Sequence, residues 1–275
     1  MQLVKKIAIA FGKALLVIAF WSVLWYFLSA RIGIDLVFPT PKAVFSELWL
    51  LVTERSESLY RYGVQYSFWH ITLVSLLRVV WGVLVSLIIG CLVAYLTSIS
   101  RLLHTLLSPA LTAIKATPVA SFIILAMLWL DKSVLPVFIT ALIVVPIVWA
   151  NVSEGIRAVD PNLREVATVY RFSLGKRVMR LYFPTVAPYF FAACQSALGM
   201  AWKASVAAEI LAVPQHSIGT EIFLSKQYML PETLFAWTLV VIVLSLIIET
   251  CFLFALRRLG QKFRMLPKGE NDADT

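Results

Sequence analysis

Charged side chains inside apolar runs are the first feature of this sequence that could do chemistry. Lys115, Lys203 and Glu249 each fall in a stretch long enough to cross a bilayer, and Arg78 stands near the end of another. A charge at the centre of a span costs at least about 2.5–3.5 kcal/mol on insertion scales, so each needs a partner, an escape to the surface or a function. At 1.5 Å per residue, Lys115 lies about 15 Å and Glu249 about 12 Å from the inner ends of their spans, depths that predict an ion pair. Lys203 lies about 22 Å from the inner end of its span. It reads either as a lysine snorkelling outward or paired with an acid, or as a cation on a passage for an anionic solute. Ser205 and Glu209 follow it on the same helix, and with Lys115 and Lys203 they make up a candidate translocation path. Glu209 is six positions on, about 240° round the helix, so it is not a same-face partner of Lys203. Arg78 is placed to reach headgroups or a neighbouring acid.

A second candidate lies between two of the apolar runs. "REVATVYRFSLGKRVMRLYFPTVAPY", Arg164 to Tyr189, carries five basic residues and one acid. Asp160-Pro161 just before it is a helix start, aspartate capping and proline pre-set for the first turn. Leu163, Ala167, Tyr170, Leu174, Val178 and Leu181 then recur on one face at helical spacing, with the basic residues off that stripe. Ser173 is a second cap, Gly175 a candidate turn, and Pro184 a stop before Pro188 opens the next span. Composition alone allows a basic amphipathic segment lying on an anionic leaflet. The same pattern also suits a handle for another protein.

The elements that hold these residues follow from composition. The chain has 275 residues, 60% hydrophobic and 14% charged, whereas a soluble domain is nearer 45–50% apolar and 25% charged. Six stretches have the roughly 20 apolar residues that a crossing needs: Ile7–Leu28, Thr72–Thr97, Leu106–Leu130, Val134–Asn151, Pro188–Leu211 and Phe235–Leu256. The apolar core of the first is too long for a signal-peptide h-region, which leaves it an uncleaved helix. With the N-terminus in the cytoplasm, about fifteen Lys and Arg lie in inner segments against six in outer ones, which sets both termini and the basic stretch inside. The fold class is thus an all-α polytopic membrane protein of six transmembrane helices. In the long outer segment, Thr40-Pro41 opens a short amphipathic helix carrying Val44, Phe45, Leu48, Leu51 and Val52, expected at the outer interface. Two spans carry ridges of small residues, Gly82-Ser86-Gly90-Ala94 and Ala193-Ala197-Ala201-Ser205. Such ridges serve close helix packing within one subunit, or place the fifth span at the centre along a path. Pro118, Pro136 and Pro146 favour bends.

The basic stretch resembles the coupling loop of ABC importer permeases, E-A-A, three residues, G, nine residues, I-x-L-P. Glu165-Val166-Ala167 hold the first three places, Leu181 and Phe183 the two apolar ones, and Pro184 the proline, without a gap. Arg171 stands at the glycine place, so a later turn near Gly175 is expected. "FPTPKAVFSEL" at 38–48, "SLLRVVWGVLVSLIIGCLVAY" at 75–95, "SPALTAIKATPVASFIILAMLW" at 108–129, "GIRAVDPNLREVA" at 155–167 and "ALGMAWKASVAAEIL" at 197–211 are similar to the nitrate/sulfonate/taurine branch of this type I, MetI-like family. The resemblance covers about residues 36 to 256.

What the resemblance implies is a permease subunit in a bacterial inner membrane, working in three sections. Residues 1–70 would hold the first crossing and the outer helix, 71–257 the transmembrane domain with a coupling loop at about 153–184, and 258–275 a cytoplasmic tail. Leu163, Glu165, Ala167, Tyr170, Arg171, Leu174, Gly175, Leu181 and Pro184 would engage a separate cytoplasmic ABC ATPase, which holds ATP and Mg. A second permease copy completes the path, and an extracytoplasmic solute-binding protein delivers a small anionic solute; from their outer position, Glu209, His216 and Glu221 are candidate contacts for it.

Other classes find less support. No G-x-x-x-x-G-K-[ST] phosphate loop and no H-E-x-x-H occur, so the chain is neither the ATPase nor a zincin, and no catalytic residues are assigned. Cys91, Cys194 and Cys251 sit singly in apolar runs, without metal-site spacing. The basic residues lie between spans rather than on one soluble face, which argues against nucleic acid. A secondary transporter or channel without an ATPase is the alternative. It would be expected to show repeated halves or rings of charge, and no convincing repeat is present.

Overall fold

The computed structural model describes the backbone of residues 2–61 and 64–262, and the side chains of most of residues 16–254. Most of the expected tail, residues 263–275, lies outside the described residues. The architecture is helical: α1 Gln2–Ile32, α2 Pro41–Val52, α3 Phe68–Ile99, α4 Arg101–Ala116, α5 Val119–Ala126, α6 Leu135–Arg157, α7 Pro161–Val169, α8 Leu174–Arg177, α9 Phe183–Ala212, α10 Ile218–Gln227 and α11 Pro231–Lys262. One antiparallel pair of two-residue strands, Tyr60–Arg61 with Val64–Gln65, precedes α3.

Among the described residues, three helices, α3, α6 and residues 231–254 of α11, are long and apolar enough to cross a membrane, or up to four if the bent α4–α5 pair is one span. The molecule is therefore a multi-pass, membrane-embedded protein. The expected third span is not one straight helix, because α4 and α5 meet at 105°. Proline lacks the amide hydrogen a continuing helix needs and pushes the residue before it out of the α region. Thr117 accordingly takes φ −85°, ψ 137°, and α5 restarts after Pro118. The expected spans Ile7–Leu28 and Pro188–Leu211 lie inside α1 and α9. Neither α1, described in part, nor α9 is among the three. α9 carries alanines, Gln195, Lys203 and Glu209 in place of the bulky aliphatics of a lipid-facing span.

α6 lies between α3 and α9 and buries 56% of its apolar window, against 11% for α11. The α3 ridge makes this closeness possible. A β-carbon on Gly82 would stand 2.6 Å from Thr140 Cβ, and one on Gly90 would stand 2.7 Å from Val148 Cβ. Helices in lipid associate through such close backbone approach. The α9 ridge is equally hidden: Ala193, Ala197, Ala201 and Ser205 are all at 0% exposure. Both ridges serve packing within the subunit. Pro136 starts α6, and Pro146 is accommodated inside it.

α2 forms where Thr40-Pro41 places it, with Thr40 Oγ1 accepting from Ala43 N at 3.3 Å. It does not simply lie on lipid. Val44 and Leu51 are fully buried, the helix packs against α11, and Glu47 Oε1 accepts from Ser56 Oγ at 2.6 Å and Thr233 Oγ1 at 3.1 Å.

Candidate functional site

The segment between α6 and α9 is built as a short helical hook. Asp160 Oδ1 caps α7 by accepting from Asn162 N at 2.8 Å, with Pro161 in the first turn. At the other end, Phe172 N donates to Ala167 O at 2.9 Å and Arg171 N to Thr168 O at 3.0 Å. This bond pair is a Schellman cap, whose next-to-last position demands a left-handed residue. That residue is Arg171, at φ 48°. The turn therefore falls at Arg171, the glycine place of the sequence pattern, and not near Gly175, which lies inside α8. Arginine is tolerated there because the two cap bonds fix the backbone while its own side chain is exposed.

α8 packs back on α7. Arg177 Nη2 donates to Thr168 Oγ1 at 2.8 Å, and Arg164 Nη2 donates to Val159 O at 2.9 Å. Val159, Ala167 and Leu181 make a small core, with Phe172 and Tyr182 packed on it. The expected single apolar stripe is thus two faces. Ala167 and Leu181 point inward, while Leu163, Tyr170, Leu174 and Val178 point outward; each set has members on both sides of the turn at Arg171, and the small core covers only part of the stripe. Val169, Tyr170 and Leu174 are 78%, 73% and 82% exposed, and Glu165 is exposed beside them. Water contact with so many large apolar groups on one hook is costly unless something covers them.

Pro184 does not stop the chain. The backbone stays helical from Leu174 to Ala212, through a π turn at Val178–Tyr182, and Pro184 sits in the first turn of α9. A widened turn relieves the register where proline cannot donate, so helix continuity survives.

Among the path candidates, Lys203 is exposed on α9 and lines an open groove of about 390 Å³ with Gln195, Ser196, Gly199 and Glu249. A β-carbon on Gly199 would stand 2.8 Å from Glu249 Oε1, so the carboxylate lies over the glycine's bare face. Glu249 accordingly belongs with Lys203's groove and is not ion-paired to Lys115, which is exposed in the last turn of α4. The depth match failed because it treated α4–α5 as one straight rod. Ser205 and Glu209 face the other way: both are at 0% exposure, off the groove.

Glu209 instead closes a knot between α3, α9 and the start of α10. It accepts from Ser75 Oγ at 2.9 Å, Gly219 N at 3.2 Å and Arg78 Nη1 at 3.2 Å. Arg78 also donates to Gln215 O at 2.9 Å, and Ile218 N donates to Ser75 Oγ at 2.9 Å. Glu209 is therefore not an outward contact surface, and Glu221 is buried as well. His216, in the loop beyond α9, is only half-buried and stacks edge-on against His70 at 4.9 Å. Its pKa is lowered, first by burial and then by the charges of His70 and Arg78.

An all-α, multi-pass bundle with an exposed apolar hook built into the start of a central helix has the architecture of a membrane permease. Comparison with known proteins agrees. Residues 86–265 match the family described as binding-protein-dependent transport system inner membrane component, and the chain belongs to that family. It is a permease family without catalytic machinery of its own. The bicarbonate transport system permease protein CmpB of Synechococcus elongatus is 30% identical over 63% of this chain. The nitrate import permease protein NrtB of the same species is 29% identical over 68%. The match spans about 63% of CmpB's length and 67% of NrtB's. An amino acid ABC transporter crystal structure superposes with a TM-score of 0.53 over 86% of this chain and 98% of its own, at 14% identity, which shows the shared fold.

Proposed function

We propose that this chain is the permease subunit of an ATP-driven ABC importer for a small anionic solute of the nitrate, bicarbonate or sulfonate kind. The observation that carries this reading is the hook: a capped, internally cored helix pair that presents Leu163, Val169, Tyr170 and Leu174 outward while its backbone runs unbroken into α9. A separate cytoplasmic ATPase grips that face, with Glu165 beside it, and closure of the ATPase dimer on ATP tilts α9. The excess of Lys and Arg around residues 101 and 157–180 supports a cytosolic position for the hook in a bacterial inner membrane. With α1, the bent α4–α5 pair and α9 counted as crossings, the chain spans six times and both termini are inside.

A second copy of the permease covers the groove of Lys203 and Glu249, which are too costly to leave facing lipid. Lys203 then attracts the anion, with Gln195 and Ser196 as neutral hydrogen-bond partners, and Lys115 adds positive charge near the bend. A solute-binding protein docks at the opposite end, near α2 and α10. The names of the relatives support an anion, and the cation at Lys203 agrees with them.

The test is capture of the ATPase. Leu174→Glu adds a charge to a side chain that touches little of the subunit itself, so insertion and thermal stability should stay unchanged. Co-purification of the native ATPase and ATP-dependent anion uptake should both fall at least tenfold. Unchanged capture by a normally inserted Leu174→Glu chain would refute the role of the hook.

A further inference from the structure

A pocket that the transport cycle does not use lies where the α3–α4 turn, the end of α6 and the start of α7 meet. It measures about 510 Å³ and is lined by Arg101, His104, Thr105, Ser153, Arg157 and Arg164, among others. No aspartate or glutamate lines it. Among the described residues, none of the three arginines has a carboxylate within 4 Å. Arg157 Nη2 is held 2.9 Å from His104 Nε2 at the pocket wall.

Two polar groups there lack partners. Ser153, at 5% exposure, has a buried Oγ with no hydrogen bond, and the buried Nε of Arg164 has none either. Buried hydroxyl and guanidinium groups are almost always hydrogen-bonded. Water would satisfy a lone hydroxyl, but it does not neutralise the three guanidinium groups that line this one pocket, whose bonds to His104 and to backbone carbonyls leave their charge unpaired. Arginine forks match the oxygens of phosphate and sulfate two at a time, and a hydroxyl beside them supplies a further donor.

We propose that this pocket binds an oxyanion of the phosphate or sulfate class at the cytosolic end of the bundle. Arg101 opens α4, Arg157 ends α6 and Arg164 lies in α7. One anion held by all three ties the hook to the membrane helices. Occupancy therefore stiffens the joint through which the ATPase stroke passes. That consequence rests on the coupling role proposed above, whereas the binding itself does not. The oxyanion is either a free cytosolic ion or the headgroup of an anionic phospholipid.

The experiment reads amide hydrogen exchange in the full-length chain in lipid nanodiscs. In the first arm the discs contain phosphatidylcholine only, and sodium sulfate is titrated against sodium chloride at equal ionic strength. In the second arm the discs contain phosphatidylglycerol and no sulfate is added. We expect saturable protection of the 97–105 and 157–164 segments. Protection in the first arm identifies a free oxyanion, and protection confined to the second identifies a headgroup. Arg101→Gln alters an exposed side chain, and it should weaken the effect about tenfold, equivalent to about 1.4 kcal/mol. Ser153→Ala should weaken it less, with melting temperature held. Absence of protection in both arms, or protection that survives Arg101→Gln undiminished, overturns the proposal. Loss of ATPase capture by Leu174→Glu reads the hook separately and leaves this result untouched.

Discussion

The Arg78–Glu209 pair offers the sharpest quantitative test of how this bundle is held together. Glu209 is fully buried, and Arg78 is 13% exposed at 3.2 Å from it. Removing one partner of such a pair leaves an uncompensated buried charge and typically costs 3–5 kcal/mol. Here Ser75 Oγ and Gly219 N still serve the carboxylate, so the lower end of that range is expected for Arg78→Ala, about 3 kcal/mol. Replacing both members removes the stranded charge. Arg78→Met with Glu209→Gln should therefore recover at least half of the loss, because burying an ion pair is itself expensive. The assay is thermal unfolding of the purified chain in detergent, read as a double-mutant cycle. Additive single losses, or an Arg78→Ala chain within about 0.5 kcal/mol of the parent, a shift typical of ordinary surface positions, would show that the knot does not hold α3 to α9.

Other positions give independent tests. Arg171→Gly should leave stability within about 1 kcal/mol of the parent, since relief of the left-handed backbone is offset by a freer unfolded chain, whereas Arg171→Val should cost about 1–2 kcal/mol. Comparison of the two melting temperatures checks the cap, and equal values would refute it. Gly82→Ala places a β-carbon 2.6 Å from Thr140 Cβ, and the separation of α3 from α6 it forces should cost about 1–3 kcal/mol in the same assay. His216 has a folded pKa below its ordinary 6.5. The unfolded chain thus takes up the proton first as pH falls. The stability His216 contributes is full above that value and is lost as pH drops below it toward the folded pKa. Melting temperature should decline on acidification through that window, and His216→Gln should flatten the decline.

Elements whose cues are local were legible in the sequence. Thr40-Pro41 and Asp160-Pro161 start helices in the structure because a side-chain cap and a pre-set φ act within one turn. The small-residue ridges were legible for the same reason, and their hidden position follows from four-residue spacing. Apart from the turn expected near Gly175 and the stop expected at Pro184, the errors required knowledge of direction between elements. Lys115 and Glu249 matched in depth, yet the 105° bend turns α4 away from that reckoning. Arg78 lies in the first half of α3 and Glu209 near the end of α9, toward one end of the bundle, so the same depth rule could have joined them. What it lacked was the azimuth of α9, which turns Lys203 into a groove and Glu209 into the core. The hook's stripe failed for a related reason. The chain reverses at Arg171 and α8 returns on α7, so the core between them covers only Ala167 and Leu181 of the stripe.

On the coupling role proposed above, that reversal and the continuity beyond it together suit the hook to pass on a force. A force applied to the exposed face at Leu174 reaches Lys203 along 29 residues of unbroken helix, about 43 Å at 1.5 Å per residue. No loop lies between them to absorb it. The π turn at Val178–Tyr182 is the one irregular point, and Leu181 in that turn is buried against Val159 and Ala167. The hook's small core therefore clamps the place where the lever would otherwise bend. A rigid junction of this kind transmits rotation as well as translation. On the coupling role proposed above, a turn of α9 about its own axis would carry Lys203 and its groove one way and the Glu209 side, bonded to Ser75 and Arg78 of α3, the other. The buried Arg78–Glu209 pair would resist that turn, so weakening it should loosen α9 against α3.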